Sequence, residues 1–334
     1  MITEKEFNIS NKNYVKKDFP VIYEELLDLC TRVSNRWNPD SSDESDPGIV
    51  LLKLLAFIAD KNNYNIDKNV LECFLPSVTQ ETSARNLFEM NGYEMQYYIS
   101  AITPISFRYS NDLEYSFTLK KYNTVLTSED NSINYTLIED CQIGSPNVPY
   151  TAKAIEGTLE FLTVGDSNII QLNNLDDNNR IYFPETRVAQ NGIFITNNGD
   201  SIPWERVINL HSQELGNKYY KFGYDSGRSL PYIEFPSDIS KLIGTGLIIR
   251  YVITRGAEGN ISASTLKVLA SPDKMYDNSL YQNEVENFVD YLSVENNESS
   301  SNGADPESID DAYMNFKRTI GTFNTLVTPR DYAN

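Results

Sequence analysis

The spacing of apolar residues changes near residue 95, and this change limits the possible folds more than any other feature. Residues 19–95 place apolar side chains three and four positions apart, which is the spacing along one face of an α-helix. From about Ile102 to Ile261, short runs alternate apolar and polar residues between Gly, Pro, Asn and Asp, which indicates antiparallel strands. We therefore predict an α+β chain with a helical N-terminal region and a central β-rich part of sandwich or split-barrel type.

The most apolar part of the chain is residues 45–60, with the sequence SDPGIVLLKLLAFIAD. Asp46, Pro47 and Gly48 predict a helix start, because a carboxylate can accept free main-chain N–H bonds and proline is tolerated in the first turn. The run from Ile49 to Ala59 is too short to span a bilayer, which needs roughly 20 apolar residues, so a membrane anchor is excluded. Packing within the chain and packing against a partner helix both stay open.

The other N-terminal helices are amphipathic. One is predicted to begin at Phe19 or Pro20, and another to run from Thr79 to Gly92. We expect the apolar first turns of the middle helix to be buried within the chain, while its amphipathic continuation presents a seam to partner helices. The positions predicted to form this interface are Phe19, Ile22, Leu26, Trp37, Tyr64, Ile66, Val70 and Phe74.

Helical spacing returns in the last part of the chain. Residues 279–292 and residues 306–321 are each predicted to be helical, the second with Pro306 in its first turn. The Ser-, Asn- and Glu-rich stretch 293–306 between them predicts an exposed linker. The predicted regions are a helical wedge or bundle region at 1–95, one or more β-rich domains at 96–262, and a C-terminal α/β region at 263–334 that contains the linker.

Net charge disfavours some classes of binding partner, and cysteine content indicates the compartment in which the chain folds. The formal net charge is −19, which opposes binding to nucleic-acid phosphates or to an anionic membrane because both need clustered Lys and Arg. The three cysteines cannot all pair within one chain, which indicates folding in a reducing compartment. The first residues lack the apolar core of a secretory signal.

No set of residues predicts catalysis, a metal site or a cofactor. His211 is the single histidine, and its neighbours match neither a nucleophile elbow nor a metal-ligand spacing. The acidic stretch DSSDESD at 40–46 lacks the alternate ligands and the twelfth-position Glu of a calcium loop, so we interpret it as the approach to a helix start. Paired carboxylates for glycoside cleavage cannot be located from sequence alone.

Three segments resemble one protein family, in the family's order. They are residues 45–95, with Asp-Pro-Gly and a Phe-Leu-Pro exit at 74–76, residues 218–261, ending in GAEGNI, and residues 302–332, with GADPES and TPRDY. Together they resemble the baseplate J-like proteins, which are wedge subunits of contractile phage tails and related injection machines. One departure is Pro-Ser-Asp after Phe235, where members usually have Gly-Asp-Gly.

The resemblance implies a structural virion protein that is not an enzyme. Its implied partners are a second copy of itself, another wedge protein that contributes bundle helices, a sheath-initiator subunit, and the tail hub or neighbouring baseplate proteins. It implies a homodimer that links into a ring around the hub, assembles in the host cytoplasm, and couples host contact to sheath contraction. The linker at 293–306 and the junction at 95–101 are the predicted hinges.

A second class of function is a tail-associated carbohydrate-binding or carbohydrate-cleaving module. The Tyr-rich, β-rich middle of the chain motivates it. Such a module needs aromatic side chains exposed along a groove and, for cleavage, two carboxylates at a catalytic separation.

Overall fold

A computed structural model describes nine parts of the chain: residues 17–33, 46–110, 117–128, 132–200, 202–210, 213–214, 216–225, 227–270 and 291–321. These residues form two compact units. The first contains the described residues up to Met95 together with those from Ser308 onward, and the second is Gln96–Glu307. The α+β class is confirmed, whereas the predicted division at 96–262 and 263–334 stays a prediction.

Five helices and two short 3-10 turns occur in the described residues. The helices are α1 (Phe19–Val33), α2 (Pro47–Leu71), α3 (Glu81–Met90), α4 (Ile239–Leu242) and α5 (Ile309–Gly321), and the 3-10 turns are Leu172–Asn174 and Gly256–Gly259.

Sixteen strands occur in the described residues, all of them within the second unit. They are β1 (Ile102–Tyr109), β2 (Phe117–Leu119), β3 (Val125–Ser128), β4 (Asn134–Leu137), β5 (Cys141–Ile143), β6 (Pro149–Glu156), β7 (Thr158–Phe161), β8 (Ile169–Ile170), β9 (Arg180–Tyr182), β10 (Val188–Asn197), β11 (Glu205–Arg206), β12 (Tyr219–Asp225), β13 (Leu230–Glu234), β14 (Leu247–Ile253), β15 (Leu266–Leu269) and β16 (Leu292–Glu295).

Local hydrogen bonds explain where the first two helices begin. The Asp46 carboxylate accepts the Gly48 N–H at 2.8 Å and Pro47 opens α2, so the predicted helix start is confirmed. Helix α1 packs against α2. An α2 carboxylate also caps α1, because Asp60 Oδ1 accepts the Phe19 N–H at 3.1 Å. The continuation of the α2 sequence therefore fixes the start of its neighbour.

Helices α3 and α5 share the small core of the first unit. Phe88 of α3 and Phe316 of α5 meet edge to face, with ring centroids 5.4 Å apart. Pro306 precedes α5 instead of lying in its first turn, so that prediction is wrong. The start of α5 is set by Ser308, whose Oγ accepts the Asp311 N–H at 3.1 Å.

Six strands of the second unit form a sheet in the order β15-β3-β4-β6-β1-β16 that almost closes into a barrel. Asn296 joins the two edges. Its Oδ1 accepts the N–H groups of Thr265 and Leu266, each at 2.8 Å, and its Nδ2 donates to the carbonyls of Ser262 at 2.8 Å and Glu298 at 2.9 Å. This sheet is barrel-like, in agreement with one of the two predicted architectures.

Two further four-stranded sheets, and a two-stranded sheet of β2 and β5, complete the second unit. One has the order β10-β14-β7, with β8 also paired to β14, and the other has the order β11-β12-β13-β9. Leu247, Ile249 and Tyr251 point from β14 into the core that these sheets share. The pairing of β11 with β12 is parallel and departs from the antiparallel prediction. After Phe235, the residues that replace Gly-Asp-Gly lead directly into α4.

The prediction of an exposed linker at 293–306 is wrong. Strand β16 pairs with β1, and its Leu292 and Val294 side chains are buried. Farther along, Ile99 and Ala304 exchange main-chain hydrogen bonds of 2.9 and 3.0 Å. The segment has a polar composition because alternate residues face solvent, and its strand partner lies far earlier in the chain. The predicted helix at 279–292 lies outside the described residues up to position 290, and Leu292 is in β16.

Candidate interface on the N-terminal helices

The first turns of α2 carry an exposed apolar surface. Only three of their apolar side chains are buried: Ile49, Leu52 and Ala56. Six others are between 43% and 62% exposed, and we call them the α2 apolar surface: Val50, Leu51, Leu54, Leu55, Phe57 and Ile58. The expectation that the first turns are buried within the chain is therefore wrong, whereas the seam expected on the later turns stays a prediction.

The width of this surface distinguishes it from an ordinary amphipathic helix. At 100° per residue, the six side chains spread over roughly 160° of the helix circumference. A surface helix normally buries an apolar stripe of about 100° and turns its polar face to water. Because α1 leaves the α2 apolar surface uncovered, a large contiguous apolar area is left in solvent, which is typical of a protein–protein contact.

The predicted interface residues lie in three different environments. Ile22 is buried, so it belongs to the packing of the unit itself. Three more are half-buried: Phe19, Leu26 and Val70. Three are exposed, namely Tyr64, Ile66 and Phe74, and Trp37 lies outside the described residues. Their role as an interface stays a prediction.

The periodicity analysis missed the six residues of the α2 apolar surface. It selected positions that form one stripe, whereas these residues belong to a run that is apolar on all sides. The signal that could have found them is the width of the run, which exceeds what one neighbouring helix can cover.

The turn after α2 is held by a buried carboxylate. Glu72 accepts the Thr79 hydroxyl at 2.5 Å, the Thr79 N–H at 3.1 Å and the Gln80 N–H at 3.0 Å. Burial raises the pKa of Glu72, but these hydrogen bonds to the charged form outweigh it, so the net pKa is lowered. The ionised carboxylate thus fixes the chain between α2 and α3.

Two of the segments that carry the family resemblance meet in the second unit. Asn260 Nδ2 donates to the Gly303 carbonyl at 2.7 Å, and the Gly303 N–H donates to Asn260 Oδ1 at 3.1 Å. Gly256 has φ +66°, and a Cβ there would collide with the Asp305 carboxylate. The GAEGNI and GADPES motifs therefore bind each other, and their residue types are explained by folding.

Glu156 lies buried beneath this pair of motifs. Its Oε2 accepts the Thr254 hydroxyl at 2.6 Å, and its Oε1 accepts the Arg255 N–H at 3.2 Å. Burial is the largest effect and raises the pKa of Glu156, in spite of these bonds and the positive charges of Arg255 and Arg187. The group joins β6 to the end of β14.

Tyrosines on the outer face of β9 and β13 are covered by arginines. Arg228 Cζ lies 4.2 Å from the ring centroid of Tyr182, and Arg180 Cζ lies 4.6 Å from that of Tyr232. Arg180 is also bonded to Glu234, with Nε and Oε2 2.7 Å apart. These ring faces are therefore occupied, although a carbohydrate platform would need them open.

No metal-ligand cluster occurs in the part of the chain that the structure describes: no three His, Cys, Asp or Glu side chains there are placed to hold an ion. His211 and residues 40–45 lie outside that part. No described helix combines the length and the apolar character that crossing a membrane requires.

Comparisons with known proteins give likenesses among solved structures. No protein-family profile matches the chain. No curated protein matches it either. A chain in the cryo-EM structure of the anti-feeding prophage baseplate is similar at 10% identity and a TM-score of 0.26, over 89% of this chain and 52% of that one. This chain thus spans about half the length of that baseplate chain. Because a TM-score this low does not establish a common fold, function has to be argued from the residues of this chain.

Proposed function

We propose that this protein is a structural baseplate subunit of a contractile phage tail or related injection machine, and that it works through interfaces and not as an enzyme. The α2 apolar surface carries this proposal. A helix that exposes Leu51, Leu54, Leu55 and Ile58 at helical spacing is suited to form a bundle with helices of other chains. The resemblance of residues 45–95 to the N-terminal part of the baseplate J-like proteins points to the same role for this helix.

Within that role we propose the wedge position. The partners would be a second copy of this chain, another wedge protein that supplies bundle helices, a sheath initiator, and the hub or its neighbours. Subunits linked in a ring would pass host contact on to sheath contraction, by changing between two arrangements at their interfaces. The junction at 95–101 stays a candidate hinge.

The carbohydrate-module alternative has less support. It needs open aromatic faces, and the rings of Tyr182 and Tyr232 are stacked against arginines. A glycan-array and hydrolysis screen of the purified protein would reverse this preference if it gave clear binding or turnover.

Substitutions within the α2 apolar surface test the proposed function. A variant with Leu51, Leu54, Leu55 and Ile58 all changed to Ser is co-expressed with the products of the neighbouring genes, and complexes are isolated by affinity purification. We expect the wild-type chain to recover partner proteins and the variant to lose them, because a polar face does not drive helix association.

The control changes exposed apolar residues of the second unit. Ile202 and Ile208 are 61% and 52% exposed, and their change to Ser should leave complexes intact. Normal complex formation by the α2 variant would show that this surface is not the interface.

A further inference from the structure

Arg250 on β14 is a cation stacked on two aromatic rings. It lies in a cross-strand row between Phe194 on β10 and Phe161 on β7. Its Cζ is 4.8 Å from the ring centroid of Phe161 and 5.2 Å from that of Tyr122. Among the residues that the structure describes, no carboxylate lies within ion-pair distance of the guanidinium and no acceptor receives a hydrogen bond from it.

A second stacked arginine, Arg180, has a carboxylate partner and so provides a comparison for Arg250. Arg180 also lies over a tyrosine ring, but its Nε donates to Glu234 at 2.7 Å. Within the described residues, the nitrogens of Arg250 have no such acceptor, and none of them is shut off from solvent. Burial lowers the pKa of Arg250, so the charge is held at a cost that no acid among the described residues offsets.

The turn that supplies Tyr122 also supplies a second cation. Lys121 Nζ lies 5.4 Å from the Tyr122 ring centroid, on the same ring that Arg250 approaches. Tyr122 has φ +67°, a left-handed conformation that costs a non-glycine residue about 1 kcal/mol or more. Two hydrogen bonds from main-chain N–H groups hold this turn. Tyr122 N–H donates to the Leu137 carbonyl at 2.7 Å, and Lys121 N–H donates to the carboxylate oxygen Asp140 Oδ1 at 2.8 Å.

The surroundings favour an extended protein segment as the ligand. Phe161 is 42% exposed and offers an apolar contact beside the two cations. Strand β7 pairs with β14 on one side, and no described strand pairs with its other side, so a partner can lie along this edge.

We propose that Arg250 and Lys121 bind the carboxylates of an acidic, extended segment of another protein chain, with Phe161 as its apolar contact. A guanidinium presents donors in a planar fork that fits a carboxylate with two parallel bonds. Stacking on two rings fixes the plane of that fork before the ligand arrives, which lowers the entropy cost of binding. This site lies on the second unit and stands whether or not the baseplate proposal holds.

Fluorescence anisotropy of the full chain with labelled peptides tests the proposal. The probe is a nine-residue peptide of alternating Glu and Val, and the matched probe replaces every Glu by Gln. We expect the Glu peptide to bind, its affinity to fall as salt is raised, and the Gln peptide not to bind. Arg250→Gln should weaken binding about tenfold or more, since the bonds lost join charged groups.

Three variants distinguish the contribution of the planar guanidinium fork to binding from the effect of net charge. Arg250→Lys keeps the charge but loses the fork, so its affinity should lie between wild type and Arg250→Gln. Phe161→Ala should weaken binding to a smaller extent while leaving both cations in place. Arg206→Gln changes the net charge by the same amount on another sheet, and its affinity should stay within about twofold of wild type.

Several results would overturn the proposal. They are equal affinities of wild type and Arg250→Gln, equal binding of the Glu and Gln peptides, and absence of binding at low salt. Binding of inorganic phosphate at Arg250 without binding of the Glu peptide would leave a small-anion site only. If Arg250→Gln unfolds at a lower temperature than wild type, the affinities of Arg250→Lys and Phe161→Ala for the Glu peptide test the site instead. Unchanged affinity in both variants would refute the site.

Discussion

Helix α2 and the barrel sheet of the second unit differ in how much of their apolar surface the chain itself covers. In the barrel, apolar side chains are covered, and Asn296 satisfies all four of its side-chain hydrogen-bonding positions within the unit. On the first turns of α2, six large apolar side chains stay in solvent. A region whose apolar side chains and hydrogen bonds are satisfied within its own unit indicates a rigid scaffold. A region that exposes a large apolar area indicates a surface that is stabilised by binding other chains.

The largest expected effect comes from removing the side chain that joins the edges of the barrel. Asn296→Ala leaves the N–H groups of Thr265 and Leu266 without an acceptor, at a cost of about 4 kcal/mol for the two. Amide hydrogen exchange in β15 and β16 should speed up strongly while exchange in α2 is unchanged. The control is Asn297→Ala, an exposed neighbour with one hydrogen bond to Ser106, which should have a small effect.

Two leucines three residues apart test the contrast within α2 itself. Leu52 is 6% exposed, and Leu52→Ala should lower the unfolding free energy of the first unit by about 2–3 kcal/mol because it leaves a cavity. Leu55 is 54% exposed, and Leu55→Ala should change stability by less than about 0.5 kcal/mol. Both are measured by urea unfolding and by hydrogen exchange in α2. A large effect of Leu55→Ala in the isolated chain would mean that this surface is already covered.

A glycine in the motif pair tests whether those motifs act through folding. Gly256→Ala combines a left-handed backbone with a clash against Asp305, so we expect a loss of about 2 kcal/mol. Gly199 has φ +84° and nothing near its Cβ position, so Gly199→Ala should show the backbone cost alone, about 1 kcal/mol. Thermal unfolding compares the two, and equal losses would show that the packing of the motifs contributes little.

Local signals in the sequence predicted the local structure. The start of α2 follows from Asp46 and Pro47, whose effect on the backbone needs no distant partner. The change of period near residue 95 likewise follows from the side chains that one helix or one strand must bury. These features depend on neighbours a few residues away, and pattern analysis reports such neighbours directly.

Long-range packing could not be predicted in the same way. Strand β16 is four residues long in a polar segment, and its partner β1 lies far earlier in the chain, so its sequence resembles a linker. Asn296 looks like any other Asn of that segment until the barrel closes around it. On α2, a run that is apolar on all sides gives no preferred face, so periodicity cannot say which residues are covered.

Two buried glutamates, one in each unit, should make the stability of the two units depend on pH in opposite directions. The pKa of Glu72 is lowered, so its contribution to stability is present above the ordinary value of 4.5 and is lost as pH falls below it. The pKa of Glu156 is raised, so its contribution to stability is fully present below the ordinary value of 4.5 and is lost as pH rises through its folded-state pKa. Unfolding of Glu72→Gln and Glu156→Gln is followed by urea titration from acid to neutral pH. Wild type should lose stability relative to Glu72→Gln as pH falls toward acid, and relative to Glu156→Gln as pH rises toward neutral, whereas the exposed control Glu160→Gln should track wild type. Parallel profiles for the two variants would contradict the opposite environments of these carboxylates.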